Sequence, residues 1–279
     1  MFRPQEQFQT FVGRTKESKQ LGRLFDESVE RGTTMVLIGG DSGIGKTTLL
    51  QQLHANVKAR GGYYVVCKST PLGSSYPYQP LAELLRILID ELGQSKVKDV
   101  VSGYSPRILS ELSLLVPKFA NLCSSAVKGY THTGHLPEKL FLENACSIVR
   151  NLLLNSPVVL IIEDIPYADP TTLELIQDFI RHGEDFKMLI CATYDLDDID
   201  LVSSKFTPFR NFIKTLNCEE LLVKIYLAPL TRDETEEYIC CLLKERMLPT
   251  GLLDTVYLKS EGNPVVIRHL VDQLIESVS

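Results

Sequence analysis

The segment from Gly40 to Thr47 combines residue types and spacing that could hold a polyphosphate. It fits the pattern G-x-x-x-x-G-K-[ST], in which the chain folds back so that successive backbone N–H groups point at phosphate oxygens. Gly43 and Gly45 are expected to take backbone conformations that side chains forbid. The residues that we expect to surround the phosphates are Gly40, Asp41, Ser42, Gly43, Ile44, Gly45, Lys46, Thr47 and Thr48.

Side chains in this segment and in a second one supply the remaining chemistry. Lys46 is expected to reach the β- and γ-phosphates of a nucleotide, and the Thr47 hydroxyl to join the coordination of Mg²⁺. Such a site also needs acids that hold the metal and orient a water molecule for hydrolysis. Glu163 and Asp164, which follow the apolar run 158–162, are the pair that we expect there.

Between the two acids, we assign Glu163 to the metal side, and Asp164 to the metal and the attacking water. An exchange of these roles stays open. The alternative interpretation is that both acids simply end a strand at the surface.

The surrounding sequence predicts the elements that would position these residues. The apolar run 35–38 indicates a buried strand and residues 47–53 indicate a helix, so that the glycine-rich turn joins a strand to a helix. Similar runs predict further strands at 63–67, 158–162, 188–193 and 221–227. Because these strands alternate with amphipathic helices, we expect an α/β fold with a doubly wound, parallel, five-stranded P-loop NTPase sheet.

The last fifty residues differ in character from the rest. From Thr231 onward the pattern is helical only, beginning with the capping-box spacing Thr231-x-x-Glu234. We therefore predict a disordered lead-in at 1–10, a nucleotide-binding α/β domain at 11–228 and a small helical lid subdomain at 229–279.

Composition sets limits on partners and compartment. The net charge of −6 makes nucleic acid an unlikely partner, because that interaction relies on positive charge. The seven cysteines form no C-x-x-C pair, which favours a reducing compartment. No stretch of the chain is apolar for long enough to suggest a membrane span or a signal peptide. We expect a cytoplasmic protein without a membrane partner.

Several short motifs follow one another in a fixed order: Phe11-Val12-Gly13-Arg14, Gly40 to Thr47, Tyr76-Pro77-Tyr78-Gln79-Pro80, Glu163 to Pro170, Ala192-Thr193-Tyr194, Leu227-Ala228-Pro229-Leu230 and Glu261-Gly262-Asn263-Pro264. In this order they resemble the AAA-type ATPase module of the STAND class of signal-transduction NTPases. That module is found in large LuxR-type transcription regulators and in class III adenylyl cyclases of the soluble type. The likeness runs from about residue 11 to the C-terminus.

The resemblance implies further site residues. Three match the box that lines the adenine and ribose: Val12, Gly13 and Arg14. Pro264 matches the lid proline that approaches the base, and Thr193 matches the sensor that faces the γ-phosphate. The residues that we expect to take part in hydrolysis are Lys46, Glu163, Asp164 and Thr193.

One departure from the family bears on the rate of hydrolysis. Relatives often follow Thr-Tyr with arginine, whereas this chain has Asp195. An arginine near the γ-phosphate can speed its transfer by orders of magnitude, so we expect slow hydrolysis with binding unaffected. Arg268 is a possible replacement, although a solvated position on the last helix is the simpler interpretation.

These observations predict an ATP-binding module that uses ATP and Mg²⁺, hydrolyses slowly and acts as a regulatory switch in signal transduction. Its partners would be ATP or ADP, and effector or sensor domains or proteins outside this chain. Two alternatives stay open: a catalytically idle ATP-binding scaffold, and a ring-forming AAA+ remodelling ATPase with nucleotide-dependent oligomers.

Overall fold

The structure is a computed structural model that describes residues 11–70, 77–122, 137–154, 156–196 and 206–278. The predicted lead-in at 1–10 and Tyr76 of the third motif lie outside the described residues.

In the described part of the chain, five parallel strands form one sheet in the order β2-β3-β4-β1-β5. Their bounds are β1 Thr34–Gly40, β2 Tyr63–Lys68, β3 Val158–Glu163, β4 Met188–Asp195 and β5 Leu222–Tyr226. Every pairing is parallel, so all five strands end at the same edge. The doubly wound parallel sheet predicted from the sequence is confirmed.

The sheet is buried on both faces because its strands are apolar at consecutive positions. In β1, Met35 and Leu37 pack into the core on one face, whereas Val36 and Ile38 pack into the core on the other. Side chains of successive strand residues point to opposite faces, so a run of apolar residues satisfies both cores at once. The strand that precedes the glycine-rich turn is thereby fixed between two layers of helices.

Helices connect the strands on both faces. Their bounds are α1 Thr15–Arg31, α2 Lys46–Gln51, α3 Leu53–Ala59, α4 Gln79–Leu92, α5 Gln94–Val101, α6 Pro106–Leu115, α7 Pro117–Leu122, α8 Glu138–Leu153, α9 Pro170–Arg181, α10 Thr207–Cys218, α11 Arg232–Leu243, α12 Leu252–Ser260 and α13 Pro264–Val278. Their ends follow the local sequence. Asp169 accepts a 2.9 Å hydrogen bond from Thr172 N–H at the start of α9, as an N-cap residue does.

The last three helices, α11 to α13, form the C-terminal helical unit. Its start is the predicted capping box, in which Thr231 N–H donates to Glu234 Oε2 at 2.8 Å and Glu234 N–H donates to Thr231 Oγ1 at 3.3 Å. The unit has a small hydrophobic cluster of its own that includes Ile239, Val256 and Ile267. This separate cluster lets the three helices pack together as a group.

None of the helices in the described ranges combines the length and the apolar character that crossing a bilayer requires.

A close backbone contact joins the helical unit to Leu230, which lies just before its first helix. Leu230 N–H donates to Gly262 O at 2.8 Å. Gly262 has φ +79°, and a Cβ added to it would lie 2.2 Å from Leu230 O. Only glycine fits there, because a side chain would be strained by the backbone angle and would also overlap a backbone oxygen.

We predict that Gly262→Ala lowers the free energy of unfolding by about 3 kcal/mol, since it adds a steric overlap to the roughly 1–2 kcal/mol cost of a left-handed alanine. Gly251→Ala is the matched control, because Gly251 has φ +81° but a Cβ there would meet no atom within 4 Å; it should cost about 1 kcal/mol. Urea denaturation of both variants measures the difference. Equal losses would mean that the Leu230 contact imposes no constraint.

Candidate nucleotide-binding site

The glycine-rich turn between β1 and α2 has the backbone shape that a phosphate-binding loop needs. Gly43 and Gly45 have φ +76° and +102°, a region in which residues with side chains are strained. A Cβ on Gly45 would meet no atom within 4 Å, so space is open above the turn. The cradle therefore fits a ligand that accepts hydrogen bonds from backbone N–H groups.

Lys46 begins α2 and is only 8% exposed. Its Nζ donates to Gly40 O at 2.8 Å and to Asp41 O at 2.9 Å, and it forms an ion pair with the Asp195 carboxylate. The ammonium is thus held at the mouth of the turn, at the end of the sheet.

The acidic pair lies beside the turn because β1, β4 and β3 are neighbours in the sheet. Thr47 Oγ1 donates to Glu163 Oε1 at 2.8 Å, which joins the hydroxyl and carboxylate that the sequence assigns to a metal. Both are hard oxygen donors of the kind that Mg²⁺ takes. The donor set, with Asp164 next to it, therefore fits a magnesium ion.

Asp164, the residue that follows β3, has a positive φ of 57°. Its N–H donates to Thr193 Oγ1 at 3.2 Å, and Thr193 is 2% exposed. The Asp164 carboxylate is 3.2 Å from Lys68 Nζ, and this hydrogen-bonded pair raises the pKa of Lys68. Three strand ends, those of β2, β3 and β4, thus meet around one carboxylate.

These groups line one open cavity of about 370 Å³. Its walls come from the glycine-rich turn, the strand ends and the start of α13. The lining residues are Ser42, Gly43, Ile44, Gly45, Lys46, Thr47, Thr48, Lys68, Glu163, Asp164, Thr193, Asp195, Tyr238, Pro264, Val265 and Arg268. Most of these residues are polar or charged, as the lining of a polyphosphate site must be.

A second, smaller cavity adjoins the first on the side of the chain start. It is lined by Phe11, Val12, Arg14, Ile44, Gly45, Thr48, Leu230, Tyr238, Pro264 and Arg268. Its combination of apolar side chains with a proline and a tyrosine is suited to a flat, apolar group such as a base. Pro264 and Arg268 line both cavities, so the exposed Arg268 faces the site as well as solvent.

Arg14 connects the parts of this smaller cavity. It is 8% exposed, and its guanidinium donates to Ala228 O and, at 3.4 Å, to Ile44 O. Burial lowers the pKa of Arg14, while Glu17 and Glu234 oppose that shift. The side chain ties the glycine-rich turn to the segment that enters the helical unit.

Three of the predicted residues support the cavity walls rather than form them. Gly13 has φ +69° and lies against Glu234. Gly40 and Asp41 offer their carbonyl oxygens to Lys46. In the described residues, these three do not line the two cavities.

The helical unit touches the glycine-rich turn directly. Asn263 Nδ2 donates to Ser42 O at 2.9 Å, and Asn263 Oδ1 accepts from Val265 N–H at 3.1 Å. A Cβ on Gly43 would lie 2.9 Å from the Val265 Cβ. One asparagine therefore caps α13 and holds it to the turn.

Comparison with known families assigns the chain. The family described as AAA ATPase domain matches residues 10–191, well over half of the sequence. The chain belongs to the AAA ATPase domain family.

Individual similarities are more distant. An uncharacterized protein of Rhizobium meliloti is 23% identical over 91% of this chain and 26% of its own length. Histidine protein kinase 1 of Candida albicans is 20% identical over 83% of this chain and 10% of its own length. The chain thus spans about a quarter or less of the curated relatives it matches.

Solved structures match most of this chain at low identity. A STAND protein with a tetratricopeptide repeat sensor from Pyrococcus horikoshii superposes with a TM-score of 0.47 at 14% identity, over 95% of this chain and 31% of that one. AMPPCP-bound DnaA from Aquifex aeolicus superposes with a TM-score of 0.48 at 13% identity, over 98% and 65%.

Lys68 and Tyr238 are polar residues of this AAA ATPase site that the sequence did not predict. Lys68 is the last residue of β2, and β2 and β3 pair with Lys68 opposite Glu163. A cation at the carboxyl end of a predicted strand was a signal for it. Tyr238, on α11, lines both cavities; nothing in its helical sequence pattern marks it.

We predict that Asn263→Asp loosens the helical unit from the turn while keeping α13 capped, because aspartate caps as well as asparagine but lacks the amide donor. Losing one hydrogen bond of about 1 kcal/mol should speed amide exchange at the start of α13 about fivefold. Hydrogen-exchange mass spectrometry on the wild type, this variant and Asn263→Ala measures it. Unchanged exchange in Asn263→Asp would mean that Val265 packing alone holds the contact.

Proposed function

We propose that this AAA ATPase domain binds ATP and ADP with Mg²⁺ and works as a slow, nucleotide-dependent regulatory switch. One observation carries the proposal. The cavity that contains Lys46, Thr47, Glu163 and Asp164 is closed on one side by the start of α13. A ligand in that cavity touches both the sheet and the helical unit.

The residues present support specific roles toward a nucleotide. Backbone N–H groups of the turn and the Lys46 ammonium would bind the phosphates. Thr47 and Glu163 would hold the magnesium ion, which neutralises phosphate charge when bound. The smaller cavity, with Val12 and Pro264 in its walls, would take the base.

Hydrolysis needs a carboxylate that orients water, and the surroundings of Asp164 support that role for it. Its backbone N–H is anchored on Thr193 and its side chain is 29% exposed, so one carboxylate oxygen can meet solvent while the other pairs with Lys68. We assign Asp164 to hold the attacking water and accept its proton, with Thr193 fixing the strand ends at that point.

The switch rests on the contact between α13 and the turn. Pro264, Val265 and Arg268 all belong to α13 and line the phosphate cavity. The number of phosphates present therefore changes the surroundings of this helix, and order–disorder or hinge responses of this kind are common in nucleotide switches. Output would pass to effector or sensor domains or proteins outside this chain. The name of the longer Candida relative, a histidine protein kinase, supports a role in signalling.

The ion pair between Lys46 and Asp195 favours a second candidate, a scaffold that binds nucleotide without turnover. A carboxylate at the phosphate end opposes the charge that develops in phosphoryl transfer. The two candidates share the binding site and differ only in hydrolysis.

We predict that Lys46→Ala weakens ADP binding about 10- to 100-fold, because it removes a charge-assisted contact to phosphate. Lys58→Ala is the control, since Lys58 is an exposed lysine that also pairs with an acid, at 2.8 Å from Glu91; it should bind like wild type. Isothermal titration calorimetry measures both. Equal affinity of Lys46→Ala and wild type would contradict the assigned phosphate site.

We further predict that Asp164→Asn lowers steady-state phosphate release about 100-fold, the effect of losing a general base, while ADP affinity stays near that of wild type. Lys58→Ala again serves as the control. If wild type releases phosphate no faster than Lys46→Ala, the domain is the idle scaffold and the hydrolytic switch is excluded.

A further inference from the structure

Of the three acids that line the phosphate cavity in the described residues, Asp195 is the one for which the AAA ATPase chemistry above has no use. It is the last residue of β4 and pairs in the sheet with Gly40, where the glycine-rich turn begins. Two parallel strands therefore fix its backbone. Its carboxylate lines the cavity and contacts the Lys46 ammonium, with side-chain exposures of 21% and 9%.

Each of the two lysines in the described cavity walls forms an ion pair with an acid of the same walls. Lys46 pairs with Asp195 and Lys68 pairs with Asp164. Glu163 accepts a hydrogen bond from the Thr47 hydroxyl, and the exposed Arg268 is the remaining cation among the lining residues of the described chain. The phosphate loop thus offers a lysine whose charge is already neutralised by an acid fixed in the sheet.

The consequences differ for the two terminal phosphates of a nucleotide. A β-phosphate is cradled by backbone N–H groups of the loop and is also reached by Lys46, so it keeps the cradle when the lysine is shared. A γ-phosphate lies beyond that cradle and depends on the lysine and the metal ion. Any phosphate oxygen on Lys46 Nζ shares that cation with the Asp195 carboxylate, so the two anions lie within a few ångströms of each other. At that range, in a partly buried site, like charges repel strongly and salt screens them little.

We propose that Asp195 makes this site select nucleoside diphosphate over triphosphate. The inference rests on the proposed nucleotide-binding function and extends it to the ligand that the domain holds by preference. Asp195 acts directly on the third phosphate, by charge, and leaves the backbone cradle of the second phosphate intact. ADP is then the tightly held ligand, and ATP must displace the carboxylate from Lys46.

A purely structural ion pair would have a different signature. If Asp195 only held Lys46 in place, its removal would change diphosphate and triphosphate affinity by the same factor. If it opposes the γ-phosphate, its removal changes their ratio. The ratio therefore separates the two roles, whatever happens to overall stability.

The test is isothermal titration calorimetry of the full 279-residue chain with ADP and with AMPPCP, a triphosphate that cannot be hydrolysed at its terminal bridge. The variants are Asp195→Asn, which removes the charge at nearly constant shape, and Asp195→Glu, which retains it. Asp90→Asn is the control: it removes the same charge from another ion pair with lysine, 2.6 Å from Lys118 Nζ, on the exposed surface. Thermal denaturation checks that each variant is folded.

We expect wild type, Asp195→Glu and Asp90→Asn to bind ADP more tightly than AMPPCP. Asp195→Asn should bind AMPPCP about tenfold more tightly than wild type does, because a near-contact repulsion is lost, and change ADP affinity by less than about threefold.

An equal change for both ligands in Asp195→Asn, or none, would overturn the selection proposal while nucleotide binding stands. If Asp195→Asn does not fold, loss of the diphosphate preference in Asp195→Ser would support the proposal, and its retention would overturn it. Failure of wild type and all variants to bind either ligand would instead refute the proposed nucleotide-binding function.

Discussion

The parallel hydrogen-bond ladder is the constraint on which the rest of the site depends. Strand β1 pairs with β4 so that Ile38 lies opposite Thr193, and β2 pairs with β3 so that Lys68 lies opposite Glu163. Because parallel strands all end at one edge, residues far apart in sequence gather there. Slipping one strand by a residue would turn its buried side chains to the wrong face. The two cores that flank the sheet therefore also fix which polar residues lie side by side at its edge.

Gathering polar groups at that edge removes them partly from water, and contacts among these groups offset the unfavourable free energy. Partly buried charges are unfavourable unless they are paired or hydrogen-bonded, and here Lys46, Lys68 and Glu163 each have a partner within the site. A polyphosphate that enters must therefore exchange existing partners for its own oxygens. The affinity for the ligand is the difference between the charged contacts it makes and those it displaces. For this reason a single carboxylate at a strand end, that of Asp195, can influence which ligand is held.

The sequence predicted the elements of this fold better than their contacts. Apolar runs and glycine spacing are local signals, and they placed the five strands and the phosphate loop correctly. The pairing of Lys46 with Asp195 joins the start of α2 to the end of β4, which are separated by most of the domain in sequence. It depends on the sheet order, which alternation of strands and helices does not specify. From the sequence, Asp195 was therefore noted only as a position where relatives have arginine. In the structure it is the ion-pair partner of Lys46. Tyr238 was missed for a related reason, because its role depends on how the helical unit packs.

That packing also explains how a small ligand could move a whole subdomain. The helical unit keeps its own hydrophobic cluster, so it need not unfold in order to shift. One polar contact that it makes with the glycine-rich turn is the hydrogen bond from Asn263 to Ser42 O, an interaction of about 1 kcal/mol. A ligand shifts an equilibrium only by its difference in affinity for the two arrangements. In the switch proposed above, the added phosphate of a triphosphate would have to supply an affinity difference that exceeds the contacts between α13 and the turn.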